Sequence, residues 1–138
     1  YLHNTYTGRR DGTDSTGNAV RGGIASIPTV GITNFFLAAS DRRHVVSRDA
    51  LIKGIDRGLL VNDAMGVHTA NPISGDYSVG VTGLWIEGGR IKHPVREAVI
   101  SGNILDLFSR VEAVGDDLTF FGNIGAPSLT ISGVDISA

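Results

Sequence analysis

Apolar and polar residues alternate along much of this chain, and glycine cuts the alternation at short intervals. A period of two places every second side chain on one face of a strand, so the pattern predicts strands rather than helices. It is clearest from Tyr77 to Ile86. Gly88-Gly89 follows, and two residues that tolerate positive φ predict a tight hairpin with a return strand. The register set by that turn puts Ile86 opposite Ile91, Trp85 opposite Lys92 and Leu84 opposite His93. Pro94 has no N–H, so the return strand is expected to have a free edge or a bulge near it. Shorter strands are predicted over Leu2–Thr7, Ile32–Ala39, Leu59–Asn62, Leu118–Phe121 and Leu129–Ile136.

Two stretches switch to helical spacing. Ser47 can cap a helix that carries Asp49 in its first turn, Leu51, Ile55 and Leu59 on one face, and Gly58 at its end. Asn103 can cap a second, with Asp106 in its first turn, Ile104, Leu107, Phe108 and Val111 on one face, and Gly115 closing it. Gly8–Gly23 is polar and glycine-rich and predicts a long loop, continued over Ser26–Gly31 with Pro28 set against a helix. Asn71-Pro72 and Ser74-Gly75-Asp76 mark turns between Gly66 and Asp76. Six to eight strands, two helices and no regular strand–helix–strand alternation predict a mainly β, α+β fold. The expected form is an antiparallel sheet or open barrel with two short helices packed on it.

At 138 residues the chain is expected to form a single domain, residues 1–138. A net charge of −2, with Arg9, Arg10, Arg21, Arg42 and Arg43 dispersed, gives no field for nucleic acid. No apolar run reaches the ~20 residues of a membrane helix. The absence of cysteine removes disulfides, thiolate nucleophiles and cysteine-based zinc sites, and fits a cytoplasmic protein. The chain starts at Tyr1 rather than Met, so it is expected to be the C-terminal part of a longer one.

Candidate chemistry is sparse. His3, His44, His68 and His93 are too far apart for a zinc-binding helix, which needs two histidines a turn apart. A site assembled from His68 with Asp63 or Asp76 is weighed against ordinary turn residues, and the ordinary reading is preferred. So it is for Glu87 and Glu97 as solvated strand charges, and for Asp116-Asp117 with Asp106 as a polar helix exit. Thr16–Gly23 has the Gly-x-x-x-x-Gly spacing of a phosphate loop but not its Gly-Lys-Ser/Thr ending, and no helix starts after it. Ser15 and Thr16 have no adjacent histidine to activate them. A backbone-rich strip that accepts an extended peptide through main-chain hydrogen bonds fits better. Asn18, Arg21, Asn71, Asp76 and Tyr77 are the candidate peptide-cleft residues. No catalytic and no metal residue is assigned.

Six segments, in order, resemble the C-terminal region of the TldD/PmbA family: Ser15-Thr16-Gly17-Asn18-Ala19-Val20-Arg21-Gly22, Asn71-Pro72-Ile73-Ser74-Gly75-Asp76-Tyr77-Ser78, Gly83-Leu84-Trp85-Ile86-Glu87-Gly88-Gly89-Arg90-Ile91, Pro94-Val95-Arg96-Glu97, Ile100-Ser101-Gly102-Asn103 and Val114-Gly115-Asp116-Asp117-Leu118. The family carries the historical label of a modulator of DNA gyrase. The resemblance implies a cytoplasmic, two-subunit peptidase system for small or unfolded peptides. In it, the TldD subunit holds zinc through a His-Glu-x-x-x-His helix and a later cysteine, and PmbA, also called TldE, lacks the metal motif. Neither motif is in this chain: Phe120–Pro127 has no cysteine. Gly83–Glu87 looks closer to the PmbA side. The implied role is therefore a metal-free wall of a peptide cleft, with no cofactor of its own and zinc assigned to a TldD-like partner; a homodimer is the other assembly. Two alternatives stay open: a parent that is itself a zinc peptidase with ligands upstream, and a non-enzymatic module that pairs through a sheet edge.

Overall fold

The computed structural model describes residues 1–137. In chain order the elements are α1 (Thr5–Asp11), β1 (Ala19–Val20), β2 (Thr29–Val30), β3 (Phe35–Phe36), β4 (Val45–Val46), α2 (Arg48–Lys53), β5 (Arg57–Met65), β6 (Asp76–Glu87), β7 (Arg90–Asn103), α3 (Ile104–Ser109), β8 (Val111–Gly115), β9 (Thr119–Phe121), β10 (Ile124–Ala126), β11 (Leu129–Ile131) and β12 (Asp135–Ser137). The fold is mainly β, as the alternation predicts. The strands are divided among four sheets, none closed into a barrel among the described residues, rather than one sheet. Antiparallel pairing dominates, but β3 runs parallel to β10 and β4 parallel to β8. There are three α-helices where two are expected.

The chain divides into two compact units. One joins Tyr1–Leu37 to Thr119–Ala126; the other joins Ala38–Leu118 to the chain from Pro127 onward.

The second unit holds the largest sheet, ordered β12-β7-β6-β5. Its centre is the β6–β7 hairpin. Gly88 and Gly89 have φ of 56° and 68°, the left-handed pair that the turn requires. The turn is also docked. Gly88 donates to the Asp56 carbonyl at 2.7 Å and Gly89 to the Ile55 carbonyl at 2.9 Å, so the hairpin tip is tied to the segment after α2. One face of the hairpin buries Val79, Val81 and Ala98, with Leu59, Tyr77, Val95 and Ile100 packed against them. Val81 and Ile86 are completely buried. Each fully buried aliphatic side chain here contributes ~1.5–3 kcal/mol to holding the sheet together.

Ile86 faces Ile91 as the turn dictates, but Trp85 faces His93 and Leu84 faces Pro94, one residue off the expected pairing. Lys92 is the extra residue of a bulge. A second shift falls between Val81 and Gly83. There Arg96 and Glu97 stand opposite Thr82, and Glu97 takes φ 62°, the only non-glycine residue with positive φ among those described. Two bulges thus flank Pro94, and β12 pairs only with Val99–Ser101, leaving β7 an open edge beside the proline. Both parts of the Pro94 expectation hold, for the same reason: a residue without N–H cannot join a second ladder.

Both predicted helices start where their caps lie. Ser47 Oγ accepts from the Ala50 N–H at 3.2 Å, and Asn103 Oδ1 accepts from the Leu105 N–H at 3.0 Å. Both are shorter than expected. α2 stops at Gly54 because Gly58 and Leu59 are taken into the sheet opposite Ile86 and Trp85. α3 stops at Ser109 because Val111–Gly115 forms β8, paired on both sides by β11 and β4. α2 lies against β7 and β8, and α3 against β7. Asp117 ties the end of β8 to the start of β11. Its carboxylate accepts from the Ser128 hydroxyl at 2.6 Å and the Ser128 N–H at 2.8 Å, and these bonds hold it below the usual aspartate range. The predicted closing strand Leu129–Ile136 is two strands, β11 and β12, separated at Gly133 with φ 62°.

In the first unit, the expected strand over Leu2–Thr7 is instead the start of α1. Asn4 Oδ1 accepts from the Thr7 N–H at 2.9 Å and Thr7 Oγ1 accepts from the Asn4 N–H at 3.0 Å, a reciprocal cap that outweighs the local alternation. Gly12, at φ 70°, ends the helix. The expected long strand over Ile32–Ala39 is reduced to Phe35–Phe36, paired with β10, which pairs in turn with β9.

Gly83 is the tightest point of the large sheet. A Cβ there would overlap the Leu60 carbonyl. Gly83→Ala is expected to lower stability by about 1–3 kcal/mol in chemical denaturation. Gly23→Ala, at a glycine with nothing within 4 Å and no positive φ, is expected to change it little. Equal effects would remove the close approach as a constraint.

Candidate functional site

The turn signals at Asn71–Asp76 become an ordered loop in front of β6. Asn71 Oδ1 accepts from the N–H groups of Ile73 and Ser74 at 2.9 and 3.2 Å, the side-chain-closed turn that asparagine favours. The Asn71 N–H donates to the Asp76 carbonyl and the Gly75 N–H to the Asn71 carbonyl, both at 2.9 Å. Gly75 sits at φ 81° where the chain reverses. The Ser74 hydroxyl then donates to Asp76 Oδ2 at 2.7 Å.

Asn103 locks this loop to the end of β7. While its Oδ1 caps α3, its Nδ2 donates to the Ser74 carbonyl at 2.8 Å and to Asp76 Oδ1 at 2.9 Å. The Ile104 N–H donates to the Gly75 carbonyl at 2.9 Å. One asparagine therefore fixes a loop, a strand end and a helix start together. Both Asp76 oxygens accept hydrogen bonds, from Asn103 first and Ser74 second, and these hold its carboxyl below the usual aspartate range. Such a carboxylate is a fixed negative acceptor near neutral pH rather than a proton donor.

Tyr77 is the next residue, paired with Gly102. A Cβ on Gly102 would stand 3.2 Å from the Tyr77 hydroxyl, so glycine leaves the phenol its place. Tyr77 and Asn103 line a cleft of about 90 Å³ that also takes in Ser101, Asp106, Arg110 and Asp135. Ligand pockets run to about 300–1,000 Å³, so this cleft has room for one side chain rather than a whole ligand. Its wall is polar, with two acids and one arginine. The Arg110 guanidinium donates to the Gly133 carbonyl, which pins the far side.

Of the five residues expected to form a peptide cleft, the structure brings together Asn71, Asp76 and Tyr77. Asn18 and Arg21 lie in the other unit. Asn18 is buried there, its Oδ1 accepting from the Thr16 hydroxyl at 2.6 Å and its carbonyl from the Gly31 N–H at 3.0 Å. Thr16 is bonded in turn to the main chain of His3, its N–H donating to the His3 carbonyl at 3.1 Å and its hydroxyl oxygen accepting from the His3 N–H at 2.8 Å. Arg21 is exposed beside β1. Asn103, which links the whole network, is read from sequence only as a helix cap. Its second role depends on a fold contact 27 residues away, to Asp76, and no local pattern encodes it.

His68 lies in a short 3₁₀ turn, Val67–Thr69, and His93 on the β7 edge opposite Trp85, not Leu84. Asp76 is held by Asn103 and Ser74, and Asp117 by Ser128. Among the described residues no three His, Cys, Asp or Glu side chains come close enough to hold a metal ion.

An NMR pH titration is expected to show Asp76 ionising below the ordinary aspartate value. Because its folded-state affinity for protons is depressed, the loop contacts are complete above that ordinary value and fail as pH falls through the lowered one. Asn103→Ala is expected to move the Asp76 titration up toward the ordinary value. An unchanged titration would show that Asn103 does not hold the carboxylate.

Residues 1–138 match the family described as the PmbA/TldA metallopeptidase C-terminal domain. The chain is 34% identical to the metalloprotease PmbA homologue of Haemophilus influenzae and 32% identical to metalloprotease PmbA of Escherichia coli O157:H7, in each case over 99% of this chain and 27% of the relative. It is 25% identical to a metalloprotease TldD homologue of Buchnera aphidicola, over 91% of this chain and 25% of that protein. The crystal structure of TldE from Thermococcus kodakarensis superposes with a TM-score of 0.79 at 27% identity, covering all of this chain and 31% of that one. The chain thus spans little more than a quarter of the length of its curated relatives. The ordered motifs, the sheet framework and the whole-length match agree: this chain belongs to the PmbA/TldD family, as the C-terminal domain of that family.

Proposed function

We propose that this chain is the C-terminal domain of a PmbA/TldE-type subunit that binds no metal itself. In this reading it forms one wall of a cleft for small or unfolded peptides, in the cytoplasm, beside a TldD-like subunit that carries zinc. The observation that carries the reading is the direction of the similarity: 34% and 32% identity to PmbA proteins against 25% to a TldD homologue, with TldE as a close structural neighbour. The chain has no cysteine, and its described histidines and carboxylates do not converge. The residues present therefore do not fit a zinc ion, and no catalytic step is assigned to them.

What the domain can supply is main-chain recognition. β5 has a neighbour on one side only, and β7 is open from Arg90 to Ala98. Open strand edges pair with extended peptides through N–H and carbonyl groups, largely independently of side chains. The Asn71–Asp76–Asn103 network and the Tyr77 cleft stand at one end of the same hairpin, where a fixed carboxylate and a small polar recess can meet a peptide's side chain or amine. No described helix is long and apolar enough to cross a membrane.

A second reading has its own support: the relatives are themselves named metalloproteases. In it the parent protein binds zinc through residues outside this chain. Metal analysis of the full-length parent separates the two. Purified alone, it is expected to carry no stoichiometric zinc and to leave unfolded peptides intact. With a TldD-type partner, zinc and peptide cleavage are expected together. One zinc per chain in the lone parent would overturn the metal-free assignment.

A further inference from the structure

The two open edges of the four-stranded sheet are built differently. Beside Arg90–Ala98, β7 carries Lys92 in one bulge, Pro94 without an N–H, and Arg96-Glu97 at a second bulge. Lysine, proline and bulges are the devices that keep an edge strand from pairing. β5 has neither lysine nor proline in its nine residues, and a single bulge, at Asn62. Among the described residues, no hydrogen bond but those to β6 touches the main chain of β5. β5 is therefore the edge left able to pair, and charge selects the strand it takes. Its two charged residues are Arg57, at its start, and Asp63, just past the bulge. Both are exposed, and neither has an ion-pair partner among the described residues. The Arg57 guanidinium stands over the Trp85 ring, 6.0 Å from its centroid. Gly58–Asn62, between the two charges, is uncharged. At ~3.3 Å per residue, the charges mark off roughly 20 Å of open strand, the length of about six residues.

We propose that the outer edge of β5 binds a short extended peptide, its free carboxylate at Arg57 and its free amino group at Asp63. This rests on the reading of the domain as one wall of a peptide cleft. It names the substrate class for that cleft: unfolded peptides of about six residues with both ends free. Direction follows from the charges. β5 runs from Arg57 to Asp63, so a peptide with its carboxylate at Arg57 runs the opposite way. Antiparallel pairing is also the more stable kind. Main-chain hydrogen bonds are indifferent to side chains, so the two ends, rather than the sequence between them, set the selectivity. A segment in the middle of a long chain brings neither terminal charge. A second copy of β5 matches the same charges, Arg57 to Asp63 and back, but it brings an Asn62 bulge of its own. The two bulges fall at opposite ends of the shared stretch and leave only Leu59–Val61 of each strand between them. A free peptide has no bulge and need fit only the one present.

The test uses the full-length parent, purified alone, and an uncharged hexapeptide of alternating threonine and valine, residues that favour the extended chain. Calorimetry compares the peptide with both ends free, with the amino end acetylated, and with the carboxyl end amidated. Each block is expected to weaken binding by about two- to five-fold, the range of an exposed ion pair. Asp63→Asn is expected to remove the penalty for acetylation and keep that for amidation; Arg57→Gln is expected to do the reverse. Hydrogen exchange is expected to slow on β5 when the free peptide binds, and to stay unchanged over Arg90–Ala98 of β7. Equal binding of free and blocked peptides, penalties tied to the wrong residue, or protection on β7 instead of β5 would overturn the proposal. So would protection of β5 that grows with protein concentration in the absence of peptide, the mark of a second copy. Binding without regard to the ends defeats this assignment alone; no binding of any peptide defeats the peptide-cleft reading with it.

Discussion

The β6–β7 hairpin is the constraint on which the rest of the larger unit depends. Its turn is closed by two glycines at positive φ and clipped to the chain after α2 by two main-chain hydrogen bonds. Its mid-section lets β5 approach Gly83 more closely than any side chain would allow. Its inner face holds Val79, Val81 and Ala98. Its two bulges turn β7 past Pro94 and leave that edge unpaired. The end away from the turn runs directly into the Asn71–Asp76 loop on one strand and α3 on the other.

The candidate site follows from the pairing at the hairpin's open end. Asp76 opens β6 and Asn103 closes β7, and the two are directly paired in the ladder. The hairpin therefore delivers a carboxylate and an amide to the same spot, and Ser74 and Asn71 complete the network from the loop. The result is a negatively charged corner beside a small polar recess at one end of the hairpin.

Much of this was legible in the sequence where a single residue type has a local meaning. Gly88-Gly89 marked the turn, Ser47 and Asn103 marked the helix starts, and Pro94 marked the open edge. Sequence reasoning failed where tertiary pairing overrode a local pattern. Four-residue spacing carried the predicted helices to Gly58 and through Val111, yet both residues are drawn into strands by partners distant in sequence; the strand predicted from Leu59 is there but starts earlier. Alternation from Leu2 suggested a strand, but the reciprocal Asn4–Thr7 cap made a helix. The Lys92 bulge moved the pairing of Trp85 and Leu84 by one residue, which no turn rule foretells. At the site, Asn71, Asp76 and Tyr77 were visible as turn and strand-start residues. The second role of Asn103 was not, because it exists only once β6 and β7 are side by side. The family resemblance was legible because its motifs fall mainly on these turns and strand ends.

If the hairpin is the organising element, its hydrogen bonds should be the last to open. Native-state hydrogen exchange on the full-length protein, resolved by residue, measures this directly. The account predicts that amides of β6 and β7 around Val79–Val81 and Ala98–Ile100 exchange slowest, and that the loop amides of Asn71 and Gly75 and the α3 amide of Ile104 open with them as one unit. Hairpin amides that exchange as fast as those of β1 and β2, or a loop that opens independently of the hairpin, would contradict it.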